Sequence, residues 1–284
     1  MTLTKIYNET VQSLRNAGVP EAENDSGLLL NHYYGVSRND LLVHGDREME
    51  ENAEFEAAVN ERIGRRPLQY IIGKADFMGL EFAVDERVLV PRFDTELLVE
   101  EALKDLHGGS RILDLCTGSG CILISLLRYS MDCEGYGVDI SEDALAVAGC
   151  NAEALLGEDK KYTFLQGDLW EPVEALDDNV FDLIVSNPPY IASEVIEGLM
   201  TEVKDFEPRI ALDGTEDGLE FYRRIAKKAP KHLSVGGRIL LEIGYDQGEE
   251  VSKLLTEAGF IEVEVLKDYS GLDRVVCGIK SWRQ

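Results

Sequence analysis

Positive charge is what this sequence lacks most. Lys and Arg number 28 against 54 Asp and Glu, so the 284 residues carry a formal charge of 28 − 54 = −26. Proteins that grip nucleic acid do so with Lys and Arg on phosphate, so no direct nucleic-acid binding is expected unless a local basic patch survives the negative total. Cysteine is also sparse: Cys116, Cys121, Cys133, Cys150 and Cys277 form no Cys-x-x-Cys pair, and there are four histidines. Neither a zinc site nor a disulfide framework is expected, and the default is no metal and the reduced thiols of a cytoplasmic protein. No apolar run approaches the ~20 residues that span a bilayer, so no membrane role is expected. The stretch from Met1 to Glu9 lacks the apolar core of a signal peptide and reads as the start of a helix, with Ile6, Thr10, Val11, Leu14 and Ala17 on one face.

What is present falls into parts. Over residues 1–75, apolar residues recur at helical spacing in 6–17, 22–33 and 55–63, separated by Gly18-Val19-Pro20, Tyr34-Gly35-Val36-Ser37 and His44-Gly45-Asp46. This predicts a small bundle of about four helices. Short alternating segments at 75–82 and 87–91 predict a hairpin linker over 76–93. From 94 to 284, helical patterns alternate with apolar strands, which implies a mostly parallel sheet covered by helices on both faces. The expected strands are 111–115, 134–139, 162–166, 181–186, 238–243, 261–266 and 274–279, the last two forming an antiparallel hairpin. An α/β, Rossmann-like seven-stranded sheet of this kind resembles the class I S-adenosylmethionine-dependent methyltransferase fold.

Three segments suggest a nucleoside-type ligand. Asp114-Leu115-Cys116-Thr117-Gly118-Ser119-Gly120 runs from a strand through a glycine turn to a helix start, and glycine lets backbone approach a ligand closely. It is not the G-x-G-x-x-G of a dinucleotide site. The next strand ends in Asp139, an acid placed to accept from both ribose hydroxyls. Ser141, beside Glu142 and Asp143, is the better candidate for capping the following helix. After the third strand, Asp168 is placed to accept from an adenine exocyclic amine, with Leu169 packing on the ring. Each has a plainer reading, an ordinary βα turn, a helix cap and a turn acid; in this order they point to S-adenosylmethionine more than to a nicotinamide cofactor.

The reactive signature is Asn187-Pro188-Pro189-Tyr190, directly after the apolar run Phe181-Asp182-Leu183-Ile184-Val185-Ser186. Two prolines cannot continue a sheet, because each lacks an N–H and fixes φ. The strand therefore stops and leaves Asn187 at the carboxyl edge, where open α/β sheets bind ligands. An amide nitrogen is a poor nucleophile because its lone pair is delocalised. The Asn187 side-chain oxygen and the Pro188 carbonyl can accept its two hydrogens, and Tyr190 can lie against its flat face. No strong general base is needed. The motif alone does not distinguish a glutamine amide from an adenine amine.

The chain resembles the HemK/PrmC family of peptide chain release factor glutamine methyltransferases over nearly its whole length. The resemblance is carried by residues 66–73, by Val88-Leu89-Val90-Pro91-Arg92-Phe93-Asp94-Thr95-Glu96, by the 114–120 turn, by Asn187-Pro188-Pro189-Tyr190-Ile191, by Glu207-Pro208-Arg209-Ile210-Ala211-Leu212 with Asp217-Gly218-Leu219, and by Lys267-Asp268 with Asp273-Arg274-Val275-Val276. It implies an N-terminal helical domain that recognises a release factor, and methylation of the glutamine in its Gly-Gly-Gln loop with S-adenosylhomocysteine as product. It implies that Cys116, Thr117, Gly118, Ser119, Gly120, Asp139, Leu169 and Asn187 contact the cofactor, beside Asp168 from the reading above, and that Asn187, Pro188, Pro189 and Tyr190 hold the glutamine. Arg92, Asp94, Thr95 and Glu96 would shape the rim. Three positions depart from the family pattern: Phe93 for a proline, Cys116 for a glycine, and Asp213-Gly214 for a Gly-Gly pair. A ribosomal-protein glutamine methyltransferase, an adenine methyltransferase on DNA or RNA, and a non-catalytic cofactor-binding protein are the competing readings.

Overall fold

A computed structural model describes residues 1–282. The chain divides into two compact units, residues 1–74 with 200–206, and residues 75–199 with 207–284.

The first unit holds the helices Leu3–Asn16, Ala22–Tyr34, Arg38–Val43, Ala53–Ile63 and Leu68–Ile72. Their starts and stops follow local chemistry. Asn52 accepts from the N–H groups of Glu54 and Phe55, and Ser37 forms a reciprocal capping box with Asp40. Leu3, Leu29, Leu30, Val36, Phe55, Ala58 and Leu68 close the core. The segment 200–206 belongs here because Glu202 is buried against Arg62 and Arg65, and Arg62 also binds Asp25 at 2.8 Å. Sequence periodicity gives no sign of that tie, which depends on two arginines more than 130 residues away.

In the second unit, β1 (Lys74–Phe77) and β2 (Leu80–Ala83) form a hairpin. The expected second arm at 87–91 is not a strand. The chain reverses at Met78-Gly79, both with positive φ (51° and 70°), which makes a two-residue turn and leaves 87–91 outside any sheet.

The main sheet contains β3 (Arg111–Leu115), β4 (Glu134–Asp139), β5 (Lys161–Gln166), β6 (Phe181–Ser186), β7 (Leu233–Glu242), β8 (Phe260–Lys267) and β9 (Asp273–Lys280). Their spatial order is β5-β4-β3-β6-β7-β9-β8. Strands β3 to β7 pair in parallel, and β9 is antiparallel to both β7 and β8. Order reverses between β3 and β6, so their connections leave toward opposite sides and open a crevice at the carboxyl edge. β7 begins at Leu233, five residues before the sequence pattern suggests, with a register irregularity opposite Phe181–Leu183. Leu113, Leu115, Ile184, Ile239 and Leu241 are fully buried in one core cluster with Tyr222, as expected for strands covered on both faces.

Candidate active site

The crevice is a cavity of about 1150 Å³ counting its open mouth, enough for a nucleoside-sized ligand. Its walls include Cys116, Thr117, Gly118 and Ser119 after β3, Asp139 at the end of β4, Asp168 and Leu169 after β5, and Asn187 and Pro189 after β6. The fold thus gathers most of the residues singled out in the sequence. Gly120, Pro188 and Tyr190 stand behind the wall rather than in it.

The glycine turn is fixed from two sides. Thr117 Oγ1 donates to Asp114 Oδ2 at 2.6 Å. Asp114 has no exposed surface, and burial pushes its carboxyl up to about 7, with the Asp139 charge adding to the rise and the Thr117 bond opposing it. Asp139 Oδ2 accepts from the Gly118 N–H at 2.9 Å and Oδ1 from the Ser141 N–H at 3.0 Å. Burial raises the Asp139 pKa while those bonds oppose it. Each oxygen keeps a further lone pair. Ser141 caps the helix Glu142–Leu155 by accepting from Ala144 N–H at 3.1 Å. Gly120 has φ +79°, and a Cβ there would lie 2.8 Å from Ile124 Cδ1 and 3.2 Å from Ala148 Cβ. Its role is close packing behind the turn. Cys116 takes φ +61°, a conformation that costs a residue bearing a Cβ roughly 1–2 kcal/mol.

Asp168 does not stand alone. Arg224 Nη2 donates to Asp168 Oδ2 at 2.6 Å, and Trp170 Nε1 donates to the Arg224 carbonyl at 3.1 Å. Arg224 also lines the cavity. It was not singled out in the sequence, where it reads as an ordinary basic residue on the polar side of the helix Glu220–His232.

At the other end, Asn187 Nδ2 donates to Thr95 Oγ1 at 3.3 Å, which turns its Oδ1 away from that bond. Tyr190 is held from behind: its hydroxyl donates to Glu242 Oε1 at 3.4 Å, and its carbonyl accepts from Gln247 Nε2 at 3.1 Å. Burial raises the Tyr190 pKa, and the nearby Glu242 charge adds to that. The chain after Tyr190 returns through Ile191 N–H to Leu212 O (3.1 Å) and Gly214 N–H to Ile191 O (2.8 Å). Arg92 faces the cavity and is paired through Nη2 with both oxygens of buried Glu207, at 2.7 and 2.6 Å. Glu242, Gln247 and Glu207 were not picked out as site residues in the sequence. For Glu242 the signal was an acid inside the apolar run Ile239–Ile243, which does not say what it faces; Glu207 stood in the family-like stretch 207–212 without an assigned role, and Gln247 lies in a polar stretch with no signal of its own.

The departures have local accounts. Phe93 is 76% exposed and is not part of the cavity wall. Asp213 accepts from Ser193 Oγ at 2.5 Å and from Thr215 N–H at 3.0 Å, so its side chain ties the return loop together. Among the described residues no His, Cys, Asp and Glu group is arranged to hold a metal, and no helix is long and apolar enough to cross a membrane.

Sheet order, the closing antiparallel hairpin and a cavity at the strand-order reversal define an S-adenosylmethionine-dependent methyltransferase fold. Residues 106–258 match the methyltransferase domain model, and residues 5–73 match the PrmC N-terminal domain. A methyltransferase crystal structure from Pyrococcus furiosus shares the fold at TM-score 0.53 and 17% identity, covering 81% of this chain and 100% of that one. The release factor glutamine methyltransferase of Geobacter sulfurreducens is 41% identical over 98% of this chain and 96% of its own length. That of Clostridium acetobutylicum is 43% identical over 90% of each. The chain belongs to the release factor glutamine methyltransferase family, as the sequence resemblance implied.

Proposed function

We propose that the protein transfers a methyl group from S-adenosylmethionine to the side-chain amide nitrogen of the glutamine in the Gly-Gly-Gln motif of a peptide chain release factor. The observation that carries this reading is the Asn187 carboxamide at the end of β6, whose nitrogen is committed to Thr95 and whose oxygen is therefore free to accept.

The residues present fit the cofactor. The cavity walls are largely apolar, including Val88, Leu89, Ile140 and Leu169, and the acid at the end of β4 retains acceptor capacity on both oxygens. A Cβ at Gly118 would meet nothing within 4 Å, so the turn leaves open space. In this reading Asp139 accepts from the ribose hydroxyls, Asp168 from the adenine amine beside Leu169, and residues 116–120 pass along the methionyl part. When bound, S-adenosylmethionine supplies an electrophilic methyl group. Asn187 Oδ1 and the Pro188 carbonyl accept the two amide hydrogens of the glutamine, aim its nitrogen and increase its electron density. Tyr190, anchored on Glu242, backs the flat face of the amide. Positioning carries the rate, so no strong base is required. The helical N-terminal part, residues 1–75, would recognise the release factor, with 76–93 linking it to the catalytic part.

The test is to incubate the protein with methyl-labelled cofactor and, in separate reactions, a release factor, the same factor with its loop glutamine replaced, a ribosomal protein, and DNA. Label is expected only in the intact release factor, and Asn187→Ala should lose most turnover while still binding cofactor. Label in DNA alone would sink the reading. Equal label in the Gln-replaced factor would mean the wrong target residue.

A further inference from the structure

Glu242 ends β7 with 1% of its surface exposed, directly behind the Asn187–Tyr190 loop. Its Oε1 accepts from the Tyr190 hydroxyl at 3.4 Å, and its backbone carbonyl accepts from the buried Tyr222 hydroxyl at 2.7 Å. Its Oε2 is buried without a partner of standard geometry. The Thr95 hydroxyl lies beside the same carboxylate and favours its charged form. Thr95 is also the group that accepts from Asn187 Nδ2.

These groups line up as a chain with a direction, whose middle link, Thr95 to Glu242, is a proximity of a hydroxyl to a buried carboxylate and not a hydrogen bond of standard geometry. A carboxylate has only acceptors, whereas a hydroxyl has one hydrogen and can also accept. If the Thr95 hydrogen is given to Glu242, the Thr95 oxygen is left to accept, and Asn187 must offer it the NH₂ end. The carboxamide is then locked with Oδ1 outward. A neutral group at position 242 could donate to Thr95 instead, and the preference for this orientation would be lost.

We propose that Glu242 is a positioning residue: acting through Thr95 it fixes which way round the Asn187 carboxamide sits, and through the Tyr190 hydroxyl it holds the far end of the same loop. This rests on the reading of Asn187 as the acceptor for the target amide. Burying an ion that makes no direct contact with substrate is costly, and orientation of the reacting end is what offsets the cost. Burial pushes the Glu242 carboxyl up to about 7, with Thr95 and Arg274 opposing the rise and Asp94 adding to it. The charged and titratable groups facing it are Tyr190 from the loop, Asp94 from the helix Phe93–Leu103, Arg274 from β9, Tyr222 from the helix Glu220–His232, and Cys121 from the helix Cys121–Tyr129.

The experiment compares Glu242→Gln, Thr95→Val and Thr95→Ser with wild type and Asn187→Ala, in cofactor affinity by calorimetry, thermal melting and turnover on the release factor. Glu242→Gln and Thr95→Val should lower kcat roughly 10- to 100-fold, with the cofactor Kd within about twofold of wild type. Thr95→Ser, which keeps the hydroxyl, should recover most of the loss. Wild-type kcat should rise with pH through about 7, as the carboxylate form takes over, and Glu242→Gln should lack that limb. Whatever the substrate, the Asn187 side-chain amide resonance, assigned by its absence in Asn187→Ala, should move in both variants. An unmoved resonance overturns the inference, as does a kcat loss matched by equal losses of cofactor affinity or melting temperature. If Asn187→Ala loses turnover and the other two keep it, this inference fails alone. If Asn187→Ala keeps turnover, the reading of the site fails with it.

Discussion

Gly218 offers the sharpest test of how the reactive loop is held. It has φ +72°, and a Cβ there would lie 2.3 Å from the Tyr190 carbonyl oxygen, 3.2 Å from the Tyr190 carbonyl carbon and 2.8 Å from Gln247 Nε2. The nearest atom, the Tyr190 carbonyl oxygen, is backbone and cannot rotate aside. Gln247 Nε2 is also the donor that fastens the Tyr190 carbonyl (3.1 Å) and the Gly218 carbonyl (3.3 Å). Gly218→Ala therefore combines a left-handed residue with a Cβ, about 1–2 kcal/mol, a backbone clash, about 1–3 kcal/mol, and a weakened hydrogen bond, about 1 kcal/mol. The sum is roughly 3–6 kcal/mol, or a fall in Tm of roughly 6–12 °C at about 2 °C per kcal/mol for a chain of this size. The control is Gly271→Ala, with φ +82° but nothing within 4 Å of its Cβ, which should carry only the left-handed cost. Melting and urea titration of both proteins give the difference due to the clash and the weakened Gln247 bond together. Gly218 is outside the cavity wall, so cofactor affinity should survive while turnover falls as Tyr190 shifts. If Gly218→Ala melts with Gly271→Ala and turns over like wild type, the loop is not held in the way argued here.

Asp139→Ala should weaken cofactor binding roughly 10- to 100-fold, the scale of hydrogen bonds to a charged group, measured as Kd by calorimetry; an unchanged Kd contradicts the ribose role. Asp114 gives a pH test without ligand. Its folded pKa of about 7 lies above the ordinary 3.8, so between those values the folded state keeps a proton that the unfolded state has released. Stability from this group is thus lost as pH rises through that window and stays lost above it, up to roughly 4 kcal/mol at 1.4 kcal/mol per unit. Asp114→Asn removes the titration, so its stability relative to wild type should grow from pH 4 to pH 7 and then level off; a pH-independent difference would refute the assignment.

Much of the sheet and its ligand edge could be read from the sequence because their signals are local. The apolar runs, the glycine turn at 116–120 and the proline pair at 188–189 each act through the backbone of a few neighbouring residues. Asp139 and Asn187 were legible for the same reason: one ends β4 and the other directly follows β6, and the parallel order sends those ends to one edge. The hairpin was misplaced because the positive φ at Met78 is not written in a methionine, and the alternating pattern of 87–91 fits an extended loop as well as a strand.

What the sequence determined by itself was the alternation of strand and helix, and hence the edge at which the candidate site residues gather, because the periodicity and the breakers are properties of short segments. The tertiary structure alone decided which groups stand behind them. Arg224 reaches Asp168 across 56 residues, Thr95 reaches Asn187 across 92, and Glu202 is claimed by Arg62 across 140. Such pairings depend on where two distant backbones come to lie and on the need of a buried polar group for a partner. No local pattern encodes either, so the bond of Asn187 to Thr95 and the anchoring of Tyr190 on Glu242 became visible only in the folded chain.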